Sequence, residues 1–508
     1  VYSKFNNGKN DSIANSERIF RNHLGICYEG IVHNALKHSV PTKTEDIKLH
    51  HHGYNQDNEQ MERKFARTSE LLKKQINNDP KNPIPHHNLA ISYLDRDMND
   101  ECIKEALEAI RLFELQNCDS QLRLLSYYSA SVAFYRKNEL SNAEKYAIKL
   151  LSIYSEYLDA YCLLSSIYFL KKEYLKCIEA TKKFLHLLKA IKANPKKALL
   201  VPLNTLQHAR LAYSRMAIVF FEQKKEQEGL QALSNSIDSA ENKWEPYFTI
   251  SKHFAEQEDS KQAERFLVDG IKKNPGNKDL LYYAAELNEK SGATDKALNN
   301  LKIITKYHPD ETPAHYKQGL IHLEKSQYDE AIKSFKSVTE RYPDNFESLF
   351  HMAIAYEGSG DSSQSKEIYN SLIRTNPDNP EVLVRLGSLY LREEDNTGAK
   401  EYFLKLLNYE KYLTEAHLCL SKISIALNDP ESCISSCDAL LKVLNLPRDI
   451  TINDISELGD LYVQIGISLL REKKEPQVRF SFEIAELLNP GILDNIQNAK
   501  SLDNCNLK

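Results

Sequence analysis

Between Trp244 and Asn379, Pro275, Pro309, Pro343 and Pro377 recur at a fixed interval of 34 residues. After three of these prolines an apolar pattern of helical period restarts within seven to nine residues. Proline cannot continue a helix, so each one marks the close of a unit. A unit of this length holds two helices and cannot bury its apolar face alone, so neighbouring units must stack. The chain has 508 residues. Globular chains longer than about 300 residues usually split into domains, but a stacked array escapes that limit because each unit packs only on its neighbours. With Gly 16 and Pro 17 both low for the length, the composition suits an all-α protein.

Setting the closing proline at position 32 gives gapless segments 244–277, 278–311, 312–345, 346–379, 380–413 and 414–447. Segment 210–243 keeps the same register. Segments 83–116, 124–157, 158–191 and 459–492 fit after short insertions, for about eleven units. Position 8 is small in every unit, as at Ala90, Ser131, Gly319 and Gly387. Position 20 is small in all but one, where Val478 stands. Small residues at both columns let the two helices of a hairpin approach closely. Tyr328-Asp329-Glu330-Ala331-Ile332, opening a second helix, resembles the consensus of the tetratricopeptide repeat family. That resemblance implies an all-α solenoid, a right-handed superhelix of about eleven helix hairpins with an inner groove for a protein or peptide.

In that family position 5 of the first helix faces the groove. Here the column reads Phe248, Tyr282, Tyr316 and Phe350. Two readings stand. The rings form a stripe that stacks on an extended peptide, or they pack between adjacent helices. Lys252, Glu286, Glu289 and Arg392 add a mixed charge to the same face. The expected groove set is Phe248, Tyr282, Tyr316, Phe350, Lys252 and Arg392.

Residues 1–58 differ from the array, being rich in His, Asn and Gly. Ile26–His33 alternates like a strand or hairpin piece, and Ile47–His51 is a second candidate. Arg18-Ile19-Phe20-Arg21-Asn22-His23, Gly30-Ile31-Val32-His33-Asn34 and His51-His52-Gly53-Tyr54 resemble the C-terminal end of glycosyltransferase family 2 domains that precede such repeats. The resemblance covers about residues 15–80. It implies a small α/β remnant of a sugar transferase that uses a nucleotide sugar and a divalent metal (Mn or Mg), with His33 as a metal-facing candidate. Asn34 departs from the family's Glu. No Asp-x-Asp stands in a strand-bounded loop, since Asp95-Arg96-Asp97 falls in a turn between helices. Catalytic residues are not assignable, and the chain alone is expected to be inactive.

The expected domains are 1–58, the transferase-like end; 59–82, a connecting helix; 83–492, the array with an insertion at 189–207; and 493–508, a tail. The connecting helix is Glu59–Asn78, with Phe65, Leu72 and Ile76 inward. A formal charge of −5 argues against a general nucleic-acid binder. No apolar run is long enough to span a membrane. Nine scattered cysteines, most on apolar helical positions, fit a reducing, cytoplasmic setting. Two functions remain in view: a repeat scaffold attached to a glycosyltransferase acting on a protein or peptide acceptor, and a non-catalytic scaffold with a degenerate transferase end. Both admit a homo-oligomer.

Overall fold

The computed structural model describes residues 58–117, 120–194, 203–447 and 457–493, and the backbone of four short strands ahead of them. Strand β1 (Tyr2–Asn6) pairs antiparallel with β2 (Asp11–Asn15), Tyr2 opposite Asn15. Strand β3 (Cys27–Glu29) pairs antiparallel with β4 (Ala35–Lys37), Cys27 opposite Lys37. β3 lies within the alternating stretch Ile26–His33. His33, Asn34, the Ile47–Tyr54 motif, Pro195, Pro202 and residues 494–508 lie outside the described residues.

The chain divides into two compact units, residues 1–280 and 281–508. In the first, α1 (Asn58–Asn78) precedes the hairpins α2 (Pro83–Leu94) with α3 (Asn99–Leu115), α4 (Gln121–Arg136) with α5 (Leu140–Ile153), and α6 (Leu158–Leu170) with α7 (Tyr174–Ala193). Then come α8 (Ala209–Glu222) with α9 (Glu226–Ser239) and α10 (Glu245–Glu256) with α11 (Ser260–Lys273). The second unit takes in most of α12 (Lys278–Lys290), which pairs with α13 (Thr294–Tyr307). It continues with α14 (Thr312–Glu324) and α15 (Tyr328–Thr339), α16 (Phe346–Ser359) and α17 (Ser362–Thr375), α18 (Pro380–Arg392) and α19 (Asn396–Leu406). It ends with α20 (Leu413–Ala426) and α21 (Pro430–Val443), then α22 (Leu458–Arg471) and α23 (Glu475–Leu488). These are eleven helix pairs among the described residues, and the fold is an α-solenoid of stacked hairpins.

One turn joins every pair. Position 15 of each unit is left-handed: Asp97, Asn138, Lys172, Lys224, Glu258, Gly292, Ser326, Gly360, Glu394, Asn428 and Lys473. The next residue donates its N–H to the carbonyl five residues back, as Met98 does to Tyr93 and Asp361 to Tyr356. This is the Schellman ending of a helix, in which a left-handed residue lets the chain fold back and satisfy the last carbonyls.

The two small columns meet inside each hairpin. At two of the units where position 8 is serine, its hydroxyl donates to the position 20 carbonyl: Ser131 to Ala143 at 2.6 Å and Ser251 to Ala263 at 2.8 Å. Where it is glycine, an aromatic ring from position 24 fills the space. A Cβ added at Gly319 would fall 2.5 Å from the Phe335 ring, and one at Gly387 would fall 2.8 Å from Phe403. The α1 helix is tied to the array by Leu72, fully buried, with Phe65 and Ile76 packed around the same cluster as Leu89 and Ala90.

The segment after α6 departs from the regular unit. Helix α7 runs on to Ala193, so the first residues of the 189–207 stretch are helical. Leu203 and Leu206 are buried with Leu187, Leu188 and Ile191 of α7. Asp159, fully buried near the start of α6, accepts hydrogen bonds from the Asn204 and Thr205 amides (2.8 and 3.2 Å) and the Thr205 hydroxyl (2.5 Å). The carboxylate thereby pins the returning segment to the array.

Candidate functional site

A concave surface of the second unit lies between α18, α20 and α23. Helix α18 opens on an Asn379 cap with Pro380 in its first turn, then turns Val382, Leu383, Leu386 and Leu389 into the core. That leaves Ser388, Leu391 and Arg392 on the groove. Helix α20 contributes Glu415, Leu418, Cys419, Lys422 and Ile425, and α23 contributes Pro476, Gln477, Phe480 and Leu487. The cavity holds about 840 Å³. It falls within the size range of ligand clefts, with an apolar wall and a few polar groups converging on it.

The third wall exists because the last hairpin docks differently. Elsewhere in this unit the second helix of one pair packs on the first helix of the next: α13 on α14, α15 on α16, α17 on α18 and α19 on α20. At the last junction α23 also reaches α20. The Lys422 ammonium sits 4.7 Å over the Phe480 ring and 3.2 Å from Glu483.

The charges on the rim are partly neutralised from below. The side chain of Glu357 on α16 is only 7% exposed, and its carboxylate takes Arg392 at 2.6 Å, Arg385 at 3.8 Å and the Tyr369 hydroxyl at 2.7 Å. It thus links three consecutive helices and fixes the Arg392 stem at the groove edge. With both arginines held by Glu357, Glu415 faces the cavity from a half-buried position. Burial raises its carboxyl above the usual range, and Arg385 opposes that shift. Burial likewise pushes the Cys419 thiol up, so it stays protonated and serves as an apolar wall residue.

The position 5 aromatics are half-buried and make contacts within and between units of the array. Tyr282 donates to Glu311 at 3.2 Å. Tyr316 meets His351 of the next pair edge-on at 5.8 Å, and Phe350 packs with Phe346 and Tyr369 at 6.0 and 5.9 Å. Phe248 lies edge-on to Trp244 at 5.9 Å, and Lys252 is exposed, 3.9 Å from Glu256. Phe248 and Lys252 belong to the first unit; Tyr282, Tyr316, Phe350 and Arg392 belong to the second. Of the expected set only Arg392 lines the α18–α20–α23 groove. His33 lies outside the described residues.

One constellation in the first unit has the residue types of a nucleophile pair. Cys162 Sγ is 3.7 Å from His208 Nδ1, with Asp159 nearby. Burial pushes the thiol up to about 11 and holds the imidazole below its usual range. A protonated thiol is a poor nucleophile, so this is a buried polar contact and not an activated cysteine. No cluster of three or more His, Cys, Asp or Glu able to hold a metal occurs among the described residues.

Family models described as tetratricopeptide repeat match residues 290–346, 322–386 and 380–412. Residues 290–412 are tetratricopeptide repeats. The eleven-fold recurrence of the position 15 turn carries the same hairpin through the rest of the array. No curated protein matches the chain. Among solved structures, MamA from Desulfovibrio magneticus RS-1 is similar at 21% identity, covering 34% of this chain and 96% of that one, with a TM-score of 0.30. A tetratricopeptide repeat protein from Parabacteroides merdae is similar at 16% identity, covering 54% of this chain and 99% of that one, with a TM-score of 0.31. PilF of Pseudomonas aeruginosa is similar at 15% identity, covering 39% and 91%, also at 0.31. None of these matches supports the transferase-like end.

Sequence reasoning missed Glu415, Lys422 and Phe480 because it placed 459–492 as one more unit stacked like the others. Two signals were present. The array is interrupted at 446–457, and Val478 is the one residue at position 20 that is not small.

Proposed function

We propose that the chain is a protein-binding scaffold that holds a partner segment in the α18–α20–α23 groove. The observation that carries this reading is the groove itself: an apolar wall of Leu391, Leu418, Ile425 and Phe480 beside half-buried Glu415. Such a surface gains from covering its apolar area and from offering Glu415 a partner. The exposed parts of the Tyr282, Tyr316 and Phe350 rings extend the surface for a longer segment, and Phe248 with Lys252 provide the corresponding surface in the first unit. The test is to select peptides from a displayed random library on the whole chain and measure them by fluorescence anisotropy. Ser388→Trp fills the groove and should weaken the selected peptides by about tenfold or more, whereas Lys333→Glu on α15 should not. Peptides that bind wild type and Ser388→Trp alike would place the partner site elsewhere.

A second reading is favoured by the Arg18–Tyr54 motifs alone: the scaffold holds a protein or peptide acceptor for sugar transfer from a nucleotide sugar with a divalent metal. The groove would then act by proximity, and His33 would be a metal-facing residue. An Asp-x-Asp sequence encoded ahead of Val1 would support it, and its absence there would remove it.

A further inference from the structure

The first unit carries a second cleft of different chemistry, formed by second helices of its hairpins. Leu107, Ile110, Arg111 and Glu114 of α3 face Lys145, Tyr146, Ile148 and Lys149 of α5, with Tyr127 of α4 at the floor. Its volume is about 470 Å³, room for one or two large side chains. We propose that this cleft docks an acidic peptide segment carrying one bulky apolar side chain.

Three observations favour that occupant. Lys145 and Lys149 stand one helical turn apart, a spacing at which like charges repel. Neither has an acidic partner among the described residues; Lys145 only lies 5.3 Å over the Tyr146 ring. Between them Ile148 is 48% exposed, so the lysines flank an apolar surface left to water. On the opposite wall one carboxylate, Glu114, lines the cleft and keeps its charge. Glu108 grips Arg111 through two hydrogen bonds of 2.9 and 2.6 Å, and Glu114 accepts the Tyr127 hydroxyl. The positive rim is therefore local, set in a chain whose formal charge is −5. An acidic segment relieves the lysine repulsion while its apolar side chain covers Ile148 and the rings below. A polyanion without an apolar side chain gains only the first of these.

Three labelled peptides test the proposal against the full chain by fluorescence anisotropy: one with a Phe-Leu pair flanked by Glu and Asp, its Gln/Asn counterpart, and its Ala counterpart lacking the apolar pair. The acidic apolar peptide should bind about tenfold or more tightly than either counterpart, and the affinity should fall as salt rises. The Lys145→Glu/Lys149→Glu pair should abolish that preference with the far-ultraviolet circular dichroism unchanged, and Ser388→Trp should leave it intact. Absence of saturable binding, equal binding of the Gln/Asn peptide, survival of the preference in the double reversal, or tighter binding of a single-stranded oligonucleotide than of the peptide would each overturn it.

Discussion

Asp159 shows how one side chain absorbs an irregularity in a repeating fold. It is buried, yet it accepts two backbone amides and a hydroxyl from the returning 203–207 segment. Burial outweighs those bonds and raises its carboxyl to about 6. An unfolded-chain carboxyl titrates near ~3.9. The folded state therefore holds the proton more tightly, so this group's stabilising contribution is full below about pH 4 and is lost as pH rises through about 6. A gap of about two pH units corresponds to ~3 kcal/mol. The expected outcome is that wild type loses urea stability relative to Asp159→Asn between about pH 4 and about pH 7. An offset between the two urea midpoints that stays constant over that window would mean the carboxyl is not perturbed by folding.

At the scale of the element, the hairpin turn sets the repeat. Nine of its eleven left-handed positions hold residues with a Cβ, and only Gly292 and Gly360 are glycine. A left-handed conformation costs an ordinary L-residue about 1–2 kcal/mol, part of which glycine recovers. Lys224→Gly and Glu258→Gly should each raise the unfolding free energy from urea titration by ~0.5–1 kcal/mol, and Gly360→Ala should lower it by about as much. Unchanged midpoints would mean that the turn is not under strain. The sequence spacing made the helix pairs, the small columns at positions 8 and 20 and the connecting helix legible, because each repeats with the core contact it serves. The left-handed turn was not legible: Lys, Glu, Ser, Asp, Asn and Gly all occupy position 15, and no residue type marks it. Of the expected groove residues only Arg392 lines the α18–α20–α23 surface. Arg392 was expected on the groove face, but Phe480 and Lys422 meet only through the docking of α23 on α20, a contact outside the 34-residue rule.

For the whole molecule, the stacked array presents concave surfaces in both of its units. Its second unit presents an apolar groove with Glu415 at its side, and its first unit a lysine-rimmed cleft. The large core side chains, such as Tyr127, Phe266, Phe335 and Phe403, are spent on holding neighbouring helices together. The buried thiols of Cys102, Cys162 and Cys433 are all pushed upward, to between about 11 and about 12, which suits packing and not reactivity. Among the described residues no helix is long and apolar enough to cross a membrane.

The α18–α20–α23 groove is proposed to hold a partner segment. Hydrogen exchange of the whole chain, with and without a library-selected peptide at saturation, tests it most directly. New protection confined to α18, α20 and α23, and lost in Ser388→Trp, is the expected result. Protection appearing on other helices with none at these three would contradict it.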